Sequence, residues 1–171
     1  MTDHYVIDGY NVIHAWQDNK KIKKMDFSHT RDKLVDMVAD FIAATKSKAT
    51  IVFDAHLVKA GTEHVETLCN VMVYYTKFQE TADSLIERLV EQFISKGNVY
   101  VITSDWDEQR IIFGKGAYRL TPNEFYLLIK RAKAERKCYY DQHCASLSDN
   151  YLENQLQKGI KDKLEKMRRG K

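Results

Sequence analysis

Three aspartates stand where a parallel sheet would bring them to a single edge. Asp8 and Asp105 each follow a short apolar run rich in β-branched residues, and Asp83 opens a helical pattern. In open α/β sheets the ends of the strands and the starts of the following helices converge at the edge where ligands bind. Carboxylates that meet there favour a hard divalent cation held by oxygen ligands. The sequence therefore predicts one or two Mg²⁺ or Mn²⁺ ions and phosphodiester chemistry.

Further polar residues lie close to these aspartates in the sequence. Glu80 and Asp107 would ligate a second ion or act through water, and Asn11 and Ser104 would hold a ligating carboxylate or a phosphate in place. Asp54 also ends a strand and is an outer candidate, although a loop role suits it equally. Each acid alone also fits a structural role, because aspartate forms turns and is favoured in the first turn of a helix. Their combination at one edge favours the functional interpretation.

Other catalytic chemistries fit the sequence less well. The chain has no Gly-x-Gly-x-x-Gly after its first strand and no Gly-Lys-Ser/Thr phosphate loop. A phosphatase with an aspartyl nucleophile would carry a second aspartate where Tyr10 stands, and Ser104 has no histidine nearby for a hydrolase triad. The spacing of Cys138, His143 and Cys144 matches no compact zinc finger, so ordinary thiols are expected there.

Two basic clusters and several aromatic side chains flank the predicted edge. Solvated faces explain most basic runs, but next to a metal edge such lysines and arginines would bind a phosphate backbone. Aromatic rings beside them would stack on unpaired bases, although Trp16 fits equally well as a residue packed under the basic segment. The predicted RNA contacts are Tyr10, Lys20, Lys21, Lys23, Lys24, Trp106, Lys130, Arg131 and Lys133.

The composition indicates one globular domain. The chain has 171 residues, of which 44% are hydrophobic and 30% charged, and its net charge is only +3. So small an excess gives little field, and any affinity for nucleic acid must come from local clustering of charge. We find no apolar signal region and no run long enough to span a bilayer, and three cysteines cannot all pair within one chain. We expect a cytoplasmic protein that does not bind membranes and is a monomer.

Strands alternate with helical patterns along the chain, which predicts a parallel sheet with right-handed crossovers. Strands are predicted at Tyr5–Asp8, Thr50–Phe53, Asn70–Thr76 and Val99–Thr103 and around Tyr118. Helices are predicted from His29 with Ser28 as its cap, from Thr81 to Gly97, over Asp107–Phe113, from Thr121-Pro122, and over Leu147–Met167. The segment from Gly9 to Phe27 is predicted to be a basic loop.

Five groups of short segments carry a family resemblance. They are Ile7-Asp8-Gly9-Tyr10-Asn11-Val12-Ile13; Val52-Phe53-Asp54-Ala55; Tyr75-Thr76-Lys77 with Glu80-Thr81-Ala82-Asp83 and Ile86-Glu87; Thr103-Ser104-Asp105 with Glu108-Gln109; and Gly114-Lys115-Gly116-Ala117 with Arg119. Together they resemble the YacP-like NYN group of PIN-like nucleases. The resemblance covers about residues 5 to 135, and the region after Cys138 carries no motif that we recognise.

The resemblance implies a PIN-like three-layer α/β fold, with a central and mostly parallel sheet flanked by helices. We assign the nuclease domain to residues 1–140 and expect a basic, helical or partly disordered C-terminal extension over residues 141–171. The resemblance also implies metal ligation by Asp8, Asp83 and Asp105, with Asn11, Glu80 and Asp107 in support. Arg119 joins the predicted RNA contacts.

The activity implied by the resemblance is that of a Mg²⁺- or Mn²⁺-dependent endoribonuclease. Members of the group include a ribosome-associated endonuclease that cuts mRNA during translation, within the ribosomal A site. The expected partners are therefore mRNA and the ribosome, with the basic part from Lys130 onward as the candidate for contact with ribosomal RNA. Two alternatives stay open: a non-catalytic RNA- or ribosome-binding module, and a nuclease that acts on DNA.

Overall fold

The strands described by the structure all join one sheet, with helices packed on both of its faces. The computed structural model describes residues 2–22, 26–54, 64–77, 80–104 and 116–149. The strands are β1 (His4–Asp8), β2 (Lys48–Phe53), β3 (His64–Leu68), β4 (Val71–Tyr75), β5 (Val99–Ile102) and β6 (Tyr118–Leu120). The helices are α1 (Gly9–Asp18), α2 (Phe27–Thr45), α3 (Ala82–Ile94) and α4 (Pro122–Asp149). The helix predicted over Asp107–Phe113 lies outside the described residues, as does the last predicted helix beyond residue 149.

The strand order in the sheet is β3-β4-β2-β1-β5-β6, with β1 at the centre. It pairs in parallel with β2 on one side and with β5 on the other. Among the strands that the structure describes, β3 alone runs antiparallel, against β4 at the edge. The chain builds outward from β1 in one direction and then returns to its other side, so the strand order reverses at β1. The predicted fold class, a mostly parallel sheet flanked by helices, is confirmed.

The largest error of the sequence prediction concerns the segment after β1. Gly9–Asp18 forms a helix, not the expected basic loop. Three apolar side chains at helical spacing, Val12, Ile13 and Trp16, are fully buried in it. The loop prediction rested on the four lysines in the second half of the segment. Its first half has the amphipathic pattern and the aspartate cap of a helix.

The start of α2 also differs from the prediction. The helix begins at Phe27 with Asp26 in the N-cap position, two residues before the predicted start at His29. The backbone N–H of Thr30 donates to the Asp26 carbonyl at 3.0 Å, which closes the first turn earlier than a Ser28 cap would. Leu34 and Val38, one turn apart on this helix, are buried in the core.

The hairpin of β3 and β4 was only half predicted. The sequence indicated β4 but not β3, whose side chains are largely exposed and therefore lack the apolar signature of a buried strand. The connecting residues Cys69 and Asn70 have φ angles of 48° and 70°. Both lie in the left-handed region that a tight two-residue hairpin turn requires.

Two layers of apolar side chains cover the faces of the sheet. One face packs against α1, α2 and the first part of α4, and the other against α3. The chain divides into two compact units, Met1–Lys133 and Ala134–Lys171, and the first contains the whole sheet. Among the described residues, no helix is both long and apolar enough to cross a membrane.

Candidate active site

Asp8 stands where β1 ends and α1 begins, at the carboxyl edge of the central strand. Its carboxylate caps α1 and accepts a hydrogen bond from the backbone N–H of Asn11 at 3.1 Å. Burial is the main cause that raises the pKa of Asp8 from 3.8 to about 6. The charges of Asp83 and Asp54 also raise this pKa, while the backbone N–H groups of Asn11 and Tyr10 lower it. Asp8 is thus a buried carboxylate with two further carboxylates close enough to act on it.

Asp83 and Asp54 are the carboxylates that act on Asp8. Asp83 lies exposed in the first turn of α3, which begins after the predicted N-cap Thr81. Asp54 follows β2, and its Oδ1 accepts a hydrogen bond from the hydroxyl of Thr76 at 3.3 Å. Thr76 is named in the sequence only as a strand end and part of a motif segment, yet it directly follows β4 as Asp54 follows β2, and strand ends of this sheet meet at one edge.

Asn11 links α1 to the segment that follows β5. Its Oδ1 accepts hydrogen bonds from the backbone N–H of Ser104 at 3.0 Å and from the Ser104 hydroxyl at 2.5 Å. Since the strand order reverses at β1, these bonds cross the crevice where α/β sheets bind ligands. Two donors occupy the amide oxygen, so the NH₂ group is the end of Asn11 that can donate to an anion. The structure thus places Asn11 and Ser104 in contact, whereas the sequence indicates only that each is a polar residue near a candidate aspartate.

Glu80 is held near the start of α3 by an ion pair. Its Oε1 lies 2.9 Å from a guanidinium nitrogen of Arg88, which stands two turns further along the helix. The carboxylate of Asp8 is instead acted on by those of Asp83 and Asp54, which add to the rise of its pKa.

The described residues alone do not form a metal site. Among them, no group of three His, Cys, Asp or Glu side chains lies close enough to hold an ion. The predicted third ligand Asp105, its neighbour Trp106 and the supporting Asp107 lie outside the described residues. The donors that do meet at the edge are carboxylate oxygens, and this chemistry fits Mg²⁺ or Mn²⁺.

The two predicted basic clusters meet on one aromatic residue that the sequence analysis did not single out. The ammonium groups of Lys21 and Lys130 each lie 5.0 Å from the centre of the Tyr126 ring. Lys21 also donates a hydrogen bond to the side chain of Asn123. Lys20, Arg131 and Lys133 are exposed, whereas Lys23 and Lys24 lie outside the described residues.

The predicted aromatic contacts differ in their exposure. Trp16 is fully buried and donates from Nε1 to the carbonyl of Pro122 at 2.8 Å, so it packs in the core and is not open to bases. Tyr10 is half-buried, and its ring packs edge-on against Phe53 with centroids 5.2 Å apart. Arg119 lies in β6 and is half-buried.

The fold and the site define a parallel α/β protein with a carboxylate-rich ligand edge at the reversal of its strand order. The chain matches the YacP-like NYN domain family over residues 5–169. It belongs to this family, and the resemblance inferred from its motifs is confirmed. The match continues past residue 135, over the C-terminal region that lacked recognisable motifs.

Individual relatives agree with this assignment. The chain is 42% identical over 123 residues to YacP of Bacillus subtilis (strain 168), described as uncharacterized, which covers 71% of this chain and 72% of that protein. It is also similar to the crystal structure of Rae1 (YacP) from Bacillus subtilis, with a TM-score of 0.67 and 34% identity over 99% of this chain and 96% of that one. For the W164L mutant of Rae1 the TM-score is 0.68, with 32% identity over 96% of this chain and 98% of that one. Family and relatives support a nuclease-type, RNA-related role.

Proposed function

We propose that this chain is a metal-dependent endoribonuclease that hydrolyses phosphodiester bonds of mRNA on the translating ribosome, in its A site. The observation that carries the proposal is the placement of three carboxylates at the carboxyl edge of the sheet: Asp8 ends β1, Asp54 follows β2, and Asp83 lies in the first turn of α3. Carboxylate oxygens are the ligands that Mg²⁺ and Mn²⁺ prefer, and the charges of Asp83 and Asp54 add to the burial that raises the pKa of Asp8. Membership of the NYN domain family supports the nuclease class.

The proposed metal site consists of Asp8, Asp83 and Asp105, with Glu80 and Asp107 in support. One or two Mg²⁺ or Mn²⁺ ions, when bound, would supply activation of a water molecule and neutralisation of phosphate charge.

The chain's other residues would position the RNA. Asn11, fixed by its bonds to Ser104, would donate its NH₂ group to a phosphate oxygen. Lys21 and Lys130, which meet at Tyr126, would hold the backbone further from the edge.

The proposal is tested by cleavage of a translated mRNA on ribosomes in the presence of Mg²⁺ or Mn²⁺. The variant is Asp83→Asn, because Asp83 is exposed and its loss leaves the core intact. The matched control is Asp36→Asn, the same change at an exposed position of α2. We expect Asp83→Asn to lower cleavage by at least about a hundredfold and the control to cut like wild type.

Each contrary outcome has a distinct meaning. Cleavage by Asp83→Asn at the wild-type rate would refute the assignment of the acidic edge. If neither protein cuts but both sediment with ribosomes, the chain is a non-catalytic ribosome-binding module. Preference for branched DNA over single-stranded RNA would indicate a DNA nuclease instead.

A further inference from the structure

One flank of the carboxyl edge carries aromatic rings and an arginine that the proposed catalysis does not use. Tyr75 ends β4, and His64 begins β3 directly opposite it in the antiparallel register. Their rings are nearly parallel, with centroids 6.1 Å apart and an interplanar angle of 25°. The guanidinium of Arg31 on α2 lies 5.6 Å from the centre of the Tyr75 ring. We name these residues, together with Tyr10, the aromatic flank.

The aromatic flank is continuous with the acidic edge through Phe53. The Phe53 ring packs against Tyr10 at 5.2 Å and against Tyr75 at 5.9 Å between centroids, and the next residue in the chain is Asp54. Burial raises the pKa of the Tyr10 phenol, Arg31 lowers it and Asp54 raises it further. A cation and a carboxylate thus both lie within electrostatic reach of this hydroxyl.

The exposure of these side chains distinguishes the aromatic flank from ordinary core packing. Phe53 is fully buried, whereas Tyr10, Arg31 and Tyr75 are half-buried, and the His64 side chain is 62% exposed. Burial raises the pKa of the Tyr75 phenol, and Arg31, which contacts the face of the Tyr75 ring, lowers it. A guanidinium held over a half-exposed ring keeps planar donors available for a phosphate or a base carbonyl.

We propose that the aromatic flank binds one unpaired nucleotide of single-stranded RNA beside the cleavage site. The base stacks against the Tyr75–His64 pair, and Arg31 donates to the phosphate or carbonyl oxygens of the same nucleotide. This inference rests on the proposed function, because it assigns the RNA path to the β2–β4 side of the acidic edge. Aromatic stacking is available to every base, so the contact requires a base but tolerates its identity.

The test measures binding separately from cleavage. The full-length chain is titrated in EDTA with a fluorescent oligouridine and with the same oligonucleotide made abasic. The variants are Arg31→Gln, Tyr75→Leu and the exposed His64→Ala. Two matched controls accompany them: Lys33→Gln removes the same charge from an exposed position two residues along α2, which faces elsewhere, and Tyr75→Phe keeps the ring.

We expect the effects of the stacking variants to depend on whether the oligonucleotide carries bases. Arg31→Gln, Tyr75→Leu and His64→Ala weaken binding of oligouridine by about fivefold or more, while both controls stay within about twofold of wild type. On the abasic strand the affinity of wild type falls close to that of the variants. The stacking variants Tyr75→Leu and His64→Ala bind this strand as wild type does. Circular dichroism checks that each variant folds, and His64→Ala provides the stacking test if Tyr75→Leu does not.

Three results would overturn the proposal. The first is wild-type binding of oligouridine by both Arg31→Gln and His64→Ala. The second is equal weakening on intact and abasic strands, which indicates an electrostatic contact without a base. The third is no binding of oligouridine by wild type. Failure of the nuclease proposal looks different: base-dependent binding would persist although wild type cuts no RNA on ribosomes.

Discussion

At the scale of single residues, the acidic edge depends on a close approach between the backbone at Gly9 and the ring of Phe53. Asp8 caps α1, and the next residue, Gly9, lies directly against the ring of Phe53. A Cβ atom added at Gly9 would stand 2.3 Å from Phe53 Cε1, much closer than van der Waals contact allows. Glycine is needed here for space, so that the strand carrying Phe53 and Asp54 can approach the start of α1.

Gly9→Ala should therefore destabilise the protein by about 1–3 kcal/mol, the usual range for overpacking of a core. The measurement is urea unfolding of both proteins. The double variant Gly9→Ala/Phe53→Leu provides the control, because a smaller side chain at position 53 leaves room for the new methyl group. We expect the two changes to be less damaging together than their sum. Full additivity would mean that the clash with Phe53 is not the cause.

The elements with strong local signals were predicted well from the sequence. The start of α4 has Thr121, Pro122 and Glu124 in the order of a capping box, and the structure forms it. The helix α3 begins at Ala82, one residue after its predicted start at Thr81. In contrast, α1 was predicted to be a loop because of the lysines that follow it. The strand β3 has no apolar pattern because it lies exposed at the edge of the sheet.

The candidate site likewise contains residues whose position follows from local patterns and contacts that do not. Parallel topology alone predicted that Asp8 and Asp83 share an edge, because each stands at the end of a strand or the start of a helix. The bond between Asn11 and Ser104 joins residues 93 positions apart, and the contact of Arg31 with Tyr75 joins α2 to β4. Such pairs depend on the relative placement of elements, which local patterns do not encode.

The capping box of α4 gives a prediction at this scale. The Thr121 hydroxyl accepts a hydrogen bond from the Glu124 backbone N–H at 3.2 Å, and Glu124 Oε2 accepts from the Thr121 backbone N–H at 2.8 Å. Thr121→Ala should lower the free energy of unfolding by about 1 kcal/mol. Thr121→Ser, which keeps the hydroxyl, should lose much less. Urea unfolding measures both, and equal losses would show that the threonine methyl group, not the cap, is responsible.

At the scale of the whole molecule, two buried groups give stability opposite dependences on pH. Burial is the main cause that raises the pKa of Asp8 from 3.8 to about 6, so the folded state binds its proton more tightly than the unfolded state does. Burial also lowers the pKa of His4 from 6.5 to about 4, where its ring stacks on Phe93 and bonds to the Thr50 hydroxyl. Stability from protonated Asp8 is lost as pH rises from about 4 to 6, and stability from neutral His4 is lost as pH falls from about 6.5 to 4.

The two effects should nearly cancel in the wild-type protein between pH 4 and 6. Each group alone changes the free energy of unfolding by about 1.4 kcal/mol per pH unit in this window. In EDTA, Asp8→Asn keeps the helix cap but removes one slope, so its stability should rise by about 3 kcal/mol from pH 4 to 6.5 relative to the wild-type curve. His4→Gln should show the opposite slope, and the double variant should again follow the wild-type curve.

Urea unfolding across this pH range measures how the free energy of unfolding changes with pH. A loss of stability that is the same at every pH, such as the lost packing of the His4 ring, does not affect this slope. Parallel curves for wild type and Asp8→Asn would mean that Asp8 is ionised as readily in the folded chain as in the unfolded one. In that case neither burial nor the charges of Asp83 and Asp54 would disfavour ionised Asp8, and one physical reason to expect a cation there would be lost. The same experiment with Mg²⁺ or Mn²⁺ completes the argument, because an ion that binds ionised Asp8 should stabilise wild type at pH 7 and have little effect on Asp8→Asn.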